Sequence, residues 1–276
     1  MDMMMTENSQ KSQSNLAQPS LFIPHGGGPC FFMDDPAGRW TGMGDFLRQL
    51  LASLSARPKA ILLVSAHWET DGFAFTGHAA PELIFDYYGF PPHTYELRYP
   101  APGAPDLAAR AAGLLQAAGF KAMVDPDHGL DHGAFVPLML AAPDADIPVV
   151  EMSLDRSLDP ALHQAAGRAL AVLREEGVLI IGSGMSFHNM RAYGNPAATA
   201  QAELFDQYLT KAATAPSKDR AEALNQWAQA PGGQFAHPRE EHLLPLMVAA
   251  GASDQAGARI YNERVLEVAI SAYRFD

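Results

Sequence analysis

Strand-length apolar runs alternate with longer amphipathic stretches along most of the chain, and this alternation limits the possible folds more than any other feature. Strands of that kind bury both faces only when helices cover the sheet. The pattern therefore predicts a single α/β domain, a central mixed sheet flanked by helices, with ligands bound at the strand C-terminal ends. The clearest strands are residues 21–24, 60–66, 147–153 and 178–182, and helical spacing marks 44–56, 105–118, 160–176, 200–213 and 238–250. Pro238 suits a first helical position, and Glu240 and Glu241 suit the positive end of the helix dipole. Residues 265–275 alternate Leu266, Val268, Ile270 and Ala272 and read as a strand. The connection 76–103, rich in proline, glycine and tyrosine, reads as a long loop lining a binding site. No repeat or break in composition marks a second domain, so 20–276 is expected to fold as one unit behind a polar, disordered tail over 1–19.

Composition narrows the functional classes. With 48% hydrophobic and 18% charged residues the chain is globular rather than fibrous or disordered. A net charge of −12 repels phosphate backbones and anionic lipid, so neither nucleic acid nor membrane is an expected partner. The single cysteine, Cys30, cannot form an internal disulfide and excludes thiolate clusters, so any metal must use His, Asp or Glu. The N-terminus lacks the pattern of a secretory signal and no window nears ~20 apolar residues. A soluble, cytoplasmic protein is the expectation.

Several of the ten histidines fall just past a predicted strand, beside glycine or small residues. His25 precedes Gly26, Gly27 and Gly28; His67 follows the strand over 60–66; His188 follows the strand over 178–182. His242 lies in the first turn or so of the helix expected from Pro238. His132 lies in a repeated DHGLDHG stretch, where Asp131 is a candidate to orient a neighbouring imidazole. His163 reads as an ordinary helix-surface residue, and His78 and His93 as loop residues. The glycine run lacks the Gly-Lys-Ser/Thr ending of a phosphate loop. Residues 184–188 begin like a Gly-x-Ser-x-Gly nucleophile elbow, but His188 replaces the last glycine.

Five short motifs occur in order: PHGGGP around His25, SAHW around His67, LDHGAFVPL around His132, SGMSFHN around His188 and HPREEHLLPL around His242. Together they resemble the class III extradiol ring-cleavage dioxygenases, in particular the DOPA 4,5-dioxygenase-like branch, from about Leu21 to the C-terminus. The resemblance implies that His25, His67 and His242 ligate one divalent metal. It implies that His188 is the acid–base residue, close enough in some members to count as a ligand, and that His132 contacts substrate or oxygen. The stretch 88–103 resembles the branch's substrate-side loop; Tyr95 and Trp68 are the residues expected to contact the substrate ring.

The better-known members of that family use two histidines and a glutamate, whereas the matching position here is His242. Fe(II) is the ion expected for activity, while three histidines equally form a zinc set, so Zn(II) is a second candidate. The implied reaction is opening of a small aromatic diol by O2 to a semialdehyde. Two other classes stay open at this level: a zinc hydrolase built on three histidines, and a catalytically silent metal-binding protein on the same scaffold. Oligomeric state is open as well, a homo-oligomer included.

Overall fold

The computed structural model describes residues 17–276. Of the tail expected over 1–19, residues 1–16 lie outside the described residues; Gln18 is buried and its backbone N–H donates to the Arg174 carbonyl at 3.0 Å. The strands are β1 Ser20–Pro24, β2 Ala60–Thr70, β3 Phe73–Thr76, β4 Ala122–Asp125, β5 Val149–Asp155, β6 Val178–Gly184, β7 Ala258–Val265 and β8 Val268–Phe275. They form one mixed sheet in the order β4-β3-β5-β2-β6-β1-β8-β7. The central strands β5, β2, β6 and β1 run parallel, and β8 and β7 extend the sheet as an antiparallel hairpin.

The helices are α1 Thr41–Gln49, α2 Pro105–Ala117, α3 His132–Ala141, α4 Pro160–Leu170, α5 Val172–Glu175, α6 Thr199–Ala213, α7 Ser217–Asn225, α8 Gly233–Ala236 and α9 Leu244–Gly251. Ile61 to Val64, Val149, Val150 and Leu179 to Ile181 are fully buried, as parallel strands covered on both faces require. No helix among the described residues is long and apolar enough to cross a membrane.

Two expectations about helices are corrected. The helix predicted from Pro238 begins instead at Leu244, so His242 sits in the turn before α9 and Glu240 and Glu241 lie outside the helix. Pro245 explains the shift: it has no N–H to donate back to residue 241, so the helix places it in its first turn, where that donor is not needed. His163 is fully buried rather than on a surface. Its Nδ1–H donates to the Asp159 carbonyl (2.7 Å) and its Nε2 accepts from the Asp155 N–H (3.1 Å).

The turn carrying His242 docks directly on the end of β6. Met185 N–H donates to the His242 carbonyl at 3.0 Å, and a Cβ on Gly184 would lie 2.2 Å from that oxygen. Gly184→Ala is therefore expected to lower the unfolding free energy by about 1–3 kcal/mol through overpacking. It should also weaken metal binding, because the His242 turn must move. Denaturant unfolding and metal titration of the variant check both, and an unchanged midpoint would contradict the close fit.

Candidate metal centre

Each of the principal histidines is delivered by a different local device. His25 is the residue after β1, and its N–H still pairs with the Gly184 carbonyl of β6 (3.2 Å), so the ladder fixes its backbone. Gly26 then turns the chain at φ +83°, where a Cβ would meet the Cys30 sulfur. His67 lies where the register between β2 and β5 slips, between Val64 and Glu69. Such irregularities re-aim side chains at the end of a strand. His132 opens α3 behind its N-cap, Asp131, whose carboxylate accepts from Ala134 N–H.

The structure brings the rings of His25, His67 and His242 into a near-equilateral triangle, with centroids 4.9 Å (His25–His67), 5.2 Å (His25–His242) and 4.8 Å (His67–His242) apart. Nε2 of all three is buried without a hydrogen-bond partner. Two of the outer nitrogens are engaged: His25 Nδ1 with the Gly26 carbonyl at 3.0 Å, and His242 Nδ1 with Glu241 Oε1 at 2.8 Å. Since both acceptors require Nδ1 to carry the proton, Nε2 of His25 and of His242 is left as a free lone pair. His67 Nδ1 is 3.7 Å from Asp86 Oδ2.

Burial, reinforced by the neighbouring imidazoles, holds the pKa values of these three rings well below the ordinary histidine range. They stay neutral, which is the ligating form. Buried imidazole nitrogens without protein donors suit a cation, and an all-nitrogen set suits a transition metal rather than Ca²⁺ or Mg²⁺.

Proximity alone does not separate His132 from this group, because one ring nitrogen each of His25, His67 and His132 lies within 4.8 Å of the others. The distinguishing feature is the buried, unpartnered Nε2, which His132 lacks. Instead His132 is fixed by Asp86, whose Oδ1 accepts from its Nδ1 (2.8 Å) and its backbone N–H (2.9 Å). Burial opposes ionisation of Asp86, but the hydrogen bonds from His132 outweigh it and keep the carboxyl below its usual range. His188 stacks on His242 and faces the cavity.

Over the histidines opens a cleft of about 550 Å³, walled by Trp40, Tyr87, Tyr88, Phe90, Tyr193 and Leu266. The two residues expected to contact a substrate ring do not line it. Trp68 stacks instead on His128, with centroids 3.7 Å apart and planes within 5°. Tyr95 packs behind Tyr87, at 5.3 Å between centroids. Asp131 orients no imidazole: it caps α3 and accepts from the Ser65 hydroxyl. Ser186 is buried and its Oγ accepts from the Ser271 N–H, so the partial nucleophile elbow has no exposed nucleophile. Asp86 escapes sequence reasoning altogether, because only its contact with His132, 46 residues away, reveals it.

A parallel-rich α/β sheet that gathers buried, unpartnered imidazole nitrogens beneath an aromatic cleft has the features of a metal-binding protein with room for a small ligand. Residues 20–273 match the family described as the catalytic LigB subunit of aromatic ring-opening dioxygenase, and the chain belongs to that family of metal-dependent, non-haem extradiol dioxygenases. It is 40% identical over 274 residues to dioxygenase tasH of Hapsidospora irregularis, covering 92% of this chain and 84% of that one. It is 41% identical over 249 residues to a 4,5-DOPA dioxygenase extradiol of Beta vulgaris (88% and 90% covered). The corresponding Escherichia coli K12 protein is 37% identical over 246 residues, with 87% of each chain covered. The crystal structure of an uncharacterized E. coli K12 protein superposes with a TM-score of 0.72 at 30% identity, covering 94% of this chain and all of that one.

Neutral buried imidazoles make the metal-free protein sensitive to acid. His25, His67, His242 and His237, the last pushed by burial down to about 4, gain protons only on unfolding once the pH falls below the unfolded value near 6.5. Glu151 and Asp131, raised by burial, release protons on unfolding and offset part of this. Stability of chelated protein should thus be greatest above about pH 7 and fall as the pH drops through the unfolded histidine value near 6.5. Urea unfolding from pH 7.5 to 5 measures the slope; a flat profile would contradict the neutral assignment.

Proposed function

We propose that the protein opens the ring of a catechol-type substrate with O2 to a semialdehyde, and that His25, His67 and His242 hold its single divalent metal. The observation that carries this reading is three neighbouring imidazoles, each with a buried, unpartnered Nε2, lining an aromatic-walled cleft. Fe(II) is the ion for turnover; Zn(II) is accepted by the same three neutral donors. A redox-active ion held by these residues would supply the electron route that the spin mismatch between diol and O2 otherwise denies.

The chain's own residues supply position and protons. His188 borders the cleft and takes the phenolic proton as the diol binds, returning it as the ring opens. Asp86 fixes His132 as its Nδ1–H tautomer, which leaves Nε2 as the nitrogen available to substrate or oxygen. Trp40, Tyr87 and Tyr193 offer flat apolar walls to a ring and keep water from its edges.

An oxygen-electrode assay of anaerobically Fe(II)-loaded protein against a catechol panel should show oxygen uptake with appearance of a yellow product. Ester or amide turnover without oxygen uptake would point instead to a zinc hydrolase. His188→Ala should keep its metal and lose about 10²- to 10⁴-fold in turnover, the range typical of a positioned proton-transfer group. His25→Ala and His67→Ala should lose the metal itself. Normal metal content in either variant would overturn the ligand assignment.

A further inference from the structure

His242 and His188 lie face to face, with ring centroids 3.3 Å apart and planes within 15°. Both turn Nδ1 to one atom, Glu241 Oε1, which is 2.8 Å from His242 and 3.3 Å from His188. The other carboxylate oxygen, Oε2, is 3.3 Å from Arg239 Nη1. Arg239 in turn grips Glu69 with two bonds of 2.6 and 2.7 Å. Glu69 stands on β2 two residues beyond His67. The contacts thus run from the strand that carries His67, through an ion pair, to the carboxylate between the other two imidazoles.

A carboxylate oxygen has lone pairs for two donors, and a carboxylate can only accept. The bond to His242 therefore requires its proton on Nδ1, and the 3.3 Å contact favours the same tautomer of His188. Because the rings are stacked nearly parallel with Nδ1 on the same side, both Nε2 atoms point away from Glu241, toward the cleft. A Glu241 that turned aside would leave His242 free to flip or to put its proton on Nε2, and would release His188 from the stack.

We propose that Glu241 is a positioning residue shared by the metal edge and the acid–base histidine, fixing the tautomer and orientation of both, and that Arg239 anchored on Glu69 holds it in place. The proposal rests on the reading of His242 as a ligand and His188 as the acid–base residue. It makes metal affinity and turnover depend on one carboxylate, whereas a merely structural residue would affect both only through stability.

The test is a double-mutant cycle of Glu241→Gln and His188→Gln with two readouts: Zn(II) affinity by chelator competition, and kcat and KM at saturating Fe(II) with the catechol turned over fastest in the panel. Glu241→Gln should weaken zinc about 10- to 100-fold, the usual effect of losing a carboxylate partner of a ligating histidine. At saturating Fe(II) it should also cut kcat at least about 10-fold with little change in KM. Placed in the His188→Gln background it should still weaken zinc yet change kcat by less than about 2-fold, because residues acting through one another are not additive. Arg239→Gln, at a half-exposed site, should move both readouts the same way by a smaller factor, and serves if Glu241→Gln does not fold. Unchanged zinc affinity, or kcat losses that multiply in the double variant, would overturn the proposal. If His188→Gln turns over like the parent, the acid–base reading of His188 fails, and the zinc readout alone decides for or against Glu241.

Discussion

A buried polar nitrogen left without a hydrogen-bond partner costs about 1–3 kcal/mol, and this protein places three of them within one triangle of imidazoles. Such a group persists only if the surroundings forbid each ring to swing away and find a donor. The parallel core does this. β1 and β2 flank β6, which carries Gly184 at its end, and their backbones are locked by ladders on both sides. Close approach completes the restraint, since a Cβ at Gly133 would lie 2.9 Å from the His67 ring, and one at Gly184 would strike the His242 carbonyl. Glycine at these positions is thus a packing requirement of the histidine edge.

The same constraint accounts for where the negative charge lies. A divalent ion held by three neutral nitrogens would have its charge uncompensated at contact distance. Asp86 and Glu241 sit one layer out, bonded to the ring nitrogens that face away from the centre or to rings stacked beside it. Burial works against ionising Glu241, but the close contact with His188 and the nearby Arg239 prevail, and its carboxyl lies below the usual range. An outer-layer carboxylate both compensates charge and orients its imidazole, as carboxylate partners of metal-bound histidines generally do. On the proposed reading of His242 as a ligand, ligation and charge compensation are divided between two residues adjacent in sequence.

What can be read from the sequence follows the range of the interactions. His25, His67 and His188 are visible because strand periodicity is local and each stands just past, or at the end of, an apolar run. His242 can be located but not its setting, since the acidic pair before it imitates a helix start that Pro245 in fact places later. α3 leaves no periodic signal because it is buried on nearly every side, and β7 leaves little because most of its residues are at least partly exposed. Trp68 resembles a substrate wall only by standing next to His67; successive residues near a strand end face opposite ways, and its partner is His128. Asp86 and the Arg239–Glu69 pair are long-range contacts, between residues 46 and 170 apart, and no local pattern encodes them.

The loop over 76–103 joins these layers. It supplies Asp86 to His132 and, in the next residues, Tyr87, Tyr88 and Phe90 to the cleft. Paired bonds pin it against the segment before α3: Ile84 N–H to the Leu130 carbonyl and Leu130 N–H to the Glu82 carbonyl, both at 2.8 Å. A Cβ on Gly129 would strike Glu82, so glycine is what permits that approach. The orientation of His132 and the position of the aromatic wall are therefore set by one anchored backbone. Tyr88, 91% exposed, and Met190, 67% exposed, lie at the open side, free of the packing that holds Tyr87. A ring bound between the histidines and the inner wall meets fixed surfaces on its reacting edge and adaptable ones opposite. On the proposed reading, tolerance toward ring substituents would come from the mouth of the cleft, while the diol would be placed from within.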